Sequence, residues 1–524
     1  MTNLLNNKIF IVFLAPLSLG AITVLGFSPY NLTFINFLTF PFLLFLIQII
    51  KKRTKSIYRK KKSNIYFFYL GCSFGFGFFL FGNYWISISL THDEMFKLLI
   101  PIALILIPLF LSLFFGIAIF LVGIFVEKKI SFIFIFSLFF SLFEFIRGNL
   151  FTGFPWNLIS YTWSWSLETI QILSLIGTYA FSLISITFFC TPFLFLGKKI
   201  KKENIFFLLI FIIFFITNYL YGMSKINKSN YRFDETVKVK IISPNFSLKD
   251  YYEKNELSQI ERLIKISNPE KNKKTLFIWP EGVFSESYLE DINKYKNLFE
   301  KEFSENHLVV VGVNSLVTSQ EPDNSKYFNS LVILNHKMEI LSSYNKVNLV
   351  PFGEFLPFEK YLSNFGFKKI TSGYNSFSSG KERQLISLQN VLNKKSILPL
   401  ICYEIIYSGN IKAHNQFPDL VVNISEDAWF GESIGPMQHF AKAIYRSIEE
   451  GVFIARSANK GISALINPNG KIIKSLKTRE SGNIEHHFPY FYESTLFSKY
   501  SNKIFFLIIL LYIFLIIFLK KFKL

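Results

Sequence analysis

The chain has 524 residues, 51% of them hydrophobic, a mean hydropathy of +0.35 and a formal net charge of +20. It is too long for one small domain and too apolar for an ordinary soluble enzyme, so part of it belongs in lipid. The basic residues stand between apolar runs and lack the interleaved aromatics of a nucleic-acid groove, which argues against a nucleic-acid partner and for membrane topology.

Windows of apolar residues long enough to cross the hydrocarbon core as helices fall near 9–27, 32–50, 65–88, 97–126, 130–147, 169–196, 204–222 and 503–519. The pattern predicts eight transmembrane helices, seven in a membrane domain 1–222 and one in a C-terminal segment 503–524 that ends in a basic tail. The first window reads as a retained span, because no A-x-A site follows it and another span begins almost at once. Glu144 and Arg147, three residues apart on one face of the fifth window, are candidates for a lipid-headgroup contact, with mutual pairing as the competing expectation. Trp156, Trp163 and Trp165 are expected in an interfacial belt.

Orientation follows from the short loops. "KKRTKSIYRKKK" (51–62), "EKK" (127–129), "KKIKK" (198–202) and the tail "KKFKL" are basic, whereas "SPYN", "THDEMFK" and the loop after Arg147 are poor in base. Positive loops stay cytoplasmic, so both termini are expected in the cytoplasm and the polar segment 223–502 on the outer side, the periplasm of a bacterial inner membrane.

In that segment, "VKVKIIS", "TLFIW", "HLVVVGVNS", "SLVILN", "ILPLIC", "LVVNIS" and "ISALINPNGKII" read as strands, with "NPNG" as a hairpin turn. "KNELSQIERLIKIS", "LEDINKYKNLFEKEF" and "GPMQHFAKAIYRSIEEG" read as helices. Strands this apolar need cover on both faces, which predicts an α/β layered domain.

Three reactive side chains end apolar runs here: Glu281 in "FIWPEGVF", Lys346 in "SYNKVNLVPF" and Cys402 in "ILPLICYEIIY". A thiolate is a nucleophile, a carboxylate can take its proton, and an ammonium can stabilise both the thiolate and a tetrahedral oxyanion. That set suffices for acyl transfer without a metal or cofactor. Taken singly, each has a plainer reading: a small buried cysteine, a helix-capping glutamate and a solvated lysine. Cys72 and Cys190 lie inside apolar windows, and three cysteines without regular spacing argue against a disulfide framework or a zinc site. His439 has no His or Cys at ligand spacing, so no metal is expected there.

"WPEG" (279–282), "NKVNLVPFGEFLPF" (345–358) and "CYEIIY" (402–407), in this order, resemble the three catalytic motifs of the nitrilase, or carbon-nitrogen hydrolase, superfamily. With flanking membrane spans, "FEFIRGNLFTGFPWNLISYTW" (143–163) and the stretch 422–470, the chain as a whole resembles the apolipoprotein N-acyltransferase family. The resemblance implies an extracytoplasmic α-β-β-α sandwich over 223–502. It implies Glu281 as general base, Lys346 as oxyanion and thiolate stabiliser and Cys402 as nucleophile, with Glu354 holding Lys346 and with Tyr403 and Glu404 flanking the cysteine. It also implies a phospholipid acyl donor, a diacylglyceryl-modified apolipoprotein acceptor and no cofactor. Nothing in the sequence sets the oligomeric state, and a monomer is the default. Glu426 stands where the family usually has asparagine, and "SPN" (243–245) where it usually has Gln-x-Asn.

Trp429 and Phe430 are candidates to line an acyl-chain pocket, against the commoner use of such a pair in a core. "FGFKKITSGYNSFSSG" (365–380) reads as a lipid-touching lid or a plain surface loop. Two rival functions remain open from sequence: a membrane-tethered amidase that passes the acyl group to water, and a non-catalytic membrane scaffold.

Overall fold

A computed structural model describes residues 7–54, 60–125, 129–196, 201–248, 255–318, 325–362, 376–388, 391–411, 417–489 and 494–521. The chain divides into two compact units, Met1–Asn227 with Leu496–Leu524, and Lys228–Thr495.

The first unit is helical: α1 (Ala15–Thr23), α2 (Asn36–Thr54), α3 (Lys60–Asn83), α4 (Ile100–Ile124), α5 (Lys129–Asn149), α6 (Leu173–Phe189) and α7 (Lys202–Lys228) precede the second unit. Among the described residues, seven helices are long and apolar enough to cross a membrane: Thr33–Arg53, Asn64–His92, Glu94–Ile124, Ile130–Asn149, Thr169–Phe195, Lys202–Lys228 and Lys503–Lys521. The first predicted span is a shorter apolar helix, Phe10–Gly26, that stops where Phe27 turns extended. It packs closely on α3, because a Cβ at Gly20 would lie 2.0 Å from the Phe74 carbonyl oxygen and one at Gly77 2.1 Å from that of Leu17. Such small residues let two backbones approach where lipid supplies no hydrophobic drive.

The expected tryptophan belt is corrected. Trp156 and Trp163 are buried, and only Trp165 is exposed. Trp156 lies 4.5 Å from the Trp85 ring; Trp163 stacks on Phe189 and Phe215 and donates to Ser185 Oγ at 3.1 Å. The loop after Arg147 folds back into the helices, so its aromatics fill a core that sequence position alone had assigned to an interface.

The second unit holds two sheets. Strands β1 (Phe233–Ser243), β2 (Lys274–Ile278), β3 (Phe284–Tyr288), β4 (His307–Val317), β5 (Lys326–Leu334), β6 (Ile340–Asn345) and β13 (Gly482–Pro489) form one, in the order β13-β1-β2-β4-β5-β6 with β3 on β4. The other has the order β12-β11-β10-β9-β8-β7, from β7 (Ile386–Ser387), β8 (Ser396–Ile401), β9 (Leu420–Glu426), β10 (Ile454–Asn459), β11 (Ser463–Ile466) and β12 (Ile472–Leu476). The period of two sets the layers. Leu276, Ile278, Leu308, Val310, Leu331 and Ile333 point between the sheets at Ile397, Leu420, Val422 and Ile424. Their alternates Phe277, Trp279, Val309, Val311 and Val332 point outward onto α8 (Glu256–Ser267) and α9 (Lys296–Glu302). Helices therefore cover a two-sheet core, with α10 (Glu359–Leu362) and α11 (Gly435–Glu450) completing the unit before α12 (Leu496–Tyr500) and α13 (Lys503–Lys521). Asn467–Gly470 makes the turn between β11 and β12, with Gly470 at φ +77°.

Candidate active site

Each reactive side chain leaves a strand end. Glu281 follows β2 through Pro280, and the parallel pairing of β2 and β4 continues one residue further as Trp279 N donates to Val310 O at 2.9 Å. Gly312 on β4 lies directly beneath this turn: a Cβ there would sit 2.7 Å from Glu281 Cα and 2.8 Å from Gly282 N. Lys346 follows β6 and is fixed through its own backbone, its N–H donating to Asn329 O and its carbonyl accepting from Gly380 N. Cys402 follows β8 with φ +47°, left-handed backbone for a residue with a Cβ, and opens a 3-10 turn over Cys402–Ile406. Strain of this kind persists where surrounding structure over-determines it.

The side chains converge. Lys346 Nζ donates to Glu354 Oε1 at 2.8 Å and to Glu281 Oε1 at 3.4 Å, and all three residues are buried. Asn329 Nδ2 donates to both carboxylates, at 2.7 Å to Glu281 Oε1 and 2.8 Å to Glu354 Oε1. Glu281 Oε2 accepts from Glu426 N at 3.0 Å, and Glu354 Oε2 from Val350 N at 2.8 Å. Burial alone would push the Lys346 ammonium down, but Glu281, Glu354 and Cys402 outweigh it and hold the ammonium above its ordinary value. Burial and the Glu281 charge push the Cys402 thiol up, against the field of Lys346. A cation thus sits between two carboxylates and beside the cysteine.

Glu404 has a different setting. Fully buried, its carboxylate accepts from Tyr344 OH (2.8 and 3.0 Å), Val347 N (2.9 Å), Asn348 N (3.2 Å), Ile401 N (2.9 Å) and Arg383 Nη2 (3.4 Å). It joins the residue before Cys402 to the two residues after Lys346. Tyr403 is buried against Tyr407, ring centroids 5.5 Å apart. Trp429 is half-buried against the outer core of the first sheet, and Phe430 meets His439 edge-on at 5.5 Å. Glu426 caps the turn below them, accepting from Ala428 N (3.0 Å) and from Asn459 Nδ2 (2.9 Å to each oxygen).

In the helical unit, Glu144 and Arg147 are buried. Glu144 accepts from Ile159 N at 2.9 Å and Ser182 Oγ at 2.5 Å. Arg147 donates to Phe154 O and, at 3.4 Å, to Asn157 O. Residues 365–375 of the expected lid lie outside the described residues.

Comparison with known proteins places the chain in a family. The model for the apolipoprotein N-acyltransferase N-terminal domain matches residues 19–191, and that for carbon-nitrogen hydrolases matches residues 267–488. The apolipoprotein N-acyltransferase of Rickettsia prowazekii (strain Madrid E) is 32% identical over 491 residues, covering 93% of this chain and 94% of its own. The chain belongs to the apolipoprotein N-acyltransferase family. The Brucella melitensis biotype 1 member is 28% identical over 479 residues, covering 90% of this chain and 88% of its own. Family membership makes this an integral membrane acyltransferase, with apolar helices and a nitrilase-like α/β unit.

Asn329 and Ser425 escape the sequence reading. Asn329 carried a signal: it shares the alternation of Leu331 and Ile333, so an amide there points into the apolar layer between the sheets.

Proposed function

We propose that the chain transfers an acyl group from a membrane phospholipid, through a thioester on Cys402, to the α-amino group of an S-diacylglyceryl-cysteine at an apolipoprotein N-terminus. The observation that carries this reading is Cys402 at left-handed φ on a strand end, in the fields of Glu281 and Lys346. Glu281 takes the thiol proton as Sγ attacks the ester carbonyl carbon. The carbonyl oxygen becomes an oxyanion held by the Lys346 ammonium and the Tyr403 N–H. The carbon–oxygen bond then breaks, the departing glycerol oxygen takes the proton from Glu281, and lysophospholipid leaves. In the second half, the acceptor amine attacks the thioester carbon and gives its proton to Glu281. The carbon–sulfur bond breaks, and the sulfur recovers that proton.

The supporting residues have separable tasks. Glu354 makes the shorter bond to Lys346, which leaves the 3.4 Å partner Glu281 available for proton transfer. Asn329 and the Glu426 N–H aim Glu281. Glu404 holds the cysteine strand against the lysine loop, and Trp429 and Phe430 border the acyl chain. Glu144 and Arg147 act by folding the loop between them and α6. We place the α/β unit 223–502 on the periplasmic side of the inner membrane and both termini in the cytoplasm, on the distribution of Lys and Arg.

Intact-protein mass spectrometry after incubation with phospholipid tests the scheme. The native chain should gain a hydroxylamine-sensitive acyl mass that a diacylglyceryl-cysteine peptide removes, and Cys402→Ala should gain none. Release by water but not by the peptide would make the enzyme a hydrolase, and no Cys402-dependent adduct would leave a scaffold.

A further inference from the structure

Cys402 has a neighbour that this chemistry does not use. Strands β8 and β9 run parallel with Ile401 opposite Ile424, so Cys402, the first residue past β8, stands next to Ser425, which is still inside β9 and paired to Ala458 of β10. The Ser425 hydroxyl is within hydrogen-bond reach of the Cys402 sulfur. In the resting chain this hydroxyl donates to Asp427 Oδ1 at 2.7 Å. Ser425, Asp427, His439 and Arg456 are all buried.

Asp427 does not depend on the serine. Arg456 Nη2 donates to its two oxygens at 3.0 and 2.8 Å, and His439 Nδ1 lies 3.0 Å from Oδ1. A hydroxyl is free to rotate and has one hydrogen to give. Turning it away from Asp427 therefore leaves no carboxylate oxygen without a partner.

We propose that Ser425 is a positioning residue for the nucleophile: its hydroxyl donates to Asp427 while Cys402 is a thiol, and turns to donate to the sulfur once the thiol proton has passed to Glu281. The inference rests on Cys402 being the nucleophile. Ser425 keeps its own hydrogen throughout, and the one proton transferred is that of the thiol. The charged groups acting on the sulfur are Glu281 and Asp427, which oppose the thiolate, and Lys346, which favours it. Ser425 adds a neutral donor on the side from which the Asp427 charge opposes the anion. A donor placed where charge develops stabilises that state without having to be charged itself.

The test uses the whole chain in detergent micelles, wild type beside Ser425→Ala and Ser425→Thr. Iodoacetamide labelling of Cys402 is followed by peptide mass spectrometry from about pH 6 to about pH 10, so that Cys72 and Cys190 are read separately. Ser425→Ala should label about tenfold more slowly at neutral pH, with its alkaline limb moved up by about one pH unit. Ser425→Thr, which keeps the hydroxyl, should restore both, and acyl-enzyme formation should follow the same order. Should Ser425→Ala unfold, Ser425→Gly carries the same measurement. An unmoved limb in the hydroxyl-free variant, or a limb moved as far by threonine, overturns the proposal. A Cys402→Ala chain that still gains the acyl group would instead overturn the nucleophile assignment, and the two failures are distinct.

Discussion

Both units of this chain keep ionisable side chains out of water, and they do so in opposite ways. In the helical unit, Glu144 and Arg147 bind mainly to the backbone of one nearby loop, at Ile159 N, Phe154 O and Asn157 O. In the α/β unit, Glu281, Lys346 and Glu354 bind to one another and to Asn329, from segments up to 73 residues apart in sequence (281 to 354), and converge on a cysteine. Buried charge alone therefore does not mark chemistry. Buried charge drawn from distant segments onto a strained nucleophile does.

The sharpest way to break the comparison is to remove one ionisable side chain from each unit. Lys346→Met should abolish acyl-enzyme formation and leave Glu281 and Glu354 facing each other without a cation, a loss of about 3–5 kcal/mol. Thermal unfolding of the detergent-solubilised chain, beside Cys402→Ala, separates the two effects, since the cysteine variant should lose activity with little change in melting temperature. Glu144→Ala leaves Ile159 N and Ser182 Oγ without their acceptor, at about 1–3 kcal/mol each. It should lower the melting temperature while the KM for phospholipid stays put. A KM raised without loss of stability would return Glu144 to the headgroup contact considered from sequence.

A third buried cluster tests the contrast through pH. Burial and the Arg456 guanidinium, outweighing Asp427, hold the His439 imidazole down to about 4 against an ordinary 6.5. Between those values the unfolded chain binds a proton that the folded chain refuses. Stability is therefore complete above about 6.5 and falls as pH drops towards 4, by up to about 3 kcal/mol. For Asp427, burial is outweighed by Arg456 and His439, which hold its carboxyl well below the usual range. Its contribution is lost only at still lower pH, in the same direction. Denaturant melts across this range should show the slope in the wild type and a flatter one in His439→Gln.

The sequence exposes what depends on period and motif and hides what depends on meeting. Alternation in "TLFIW" and "HLVVVGVNS" foretold β2 and β4, while β10 ("IARSAN") and β13 ("GNIEHHFP") went unread because polar side chains occupy their buried or ladder positions. Arg456 and Asn459 look like surface residues until Asp427 and Glu426 are found opposite them. The triad positions were legible only through resemblance to a family. Physics applied to one lysine or one cysteine favours the plainer reading, and three of the partners of Glu404 are backbone amides that no side-chain pattern announces. The tryptophans failed for a related reason, since a loop between helices can lie at an interface or fold into the bundle with the same composition.

The smallest predicted effect probes how closely the sheet supports the base. Gly312 has no positive φ to explain it, so its role is space: a Cβ there meets the Glu281 turn at 2.7 Å, on backbone atoms that cannot swing aside as a side chain would. Gly312→Ala should cost about 1–3 kcal/mol as the turn moves outward. Glu281 would then move relative to Asn329, Lys346 and the Glu426 N–H, so the rate of Cys402 acylation should fall about tenfold or more, as misplaced reacting groups commonly cause. In the helical unit, Gly20→Ala meets backbone more closely still, at 2.0 Å from the Phe74 carbonyl oxygen, and should lower the melting temperature without touching the acylation rate per folded molecule. Equal rate losses from both glycines would erase the distinction between a unit that carries the chemistry and one that holds its shape.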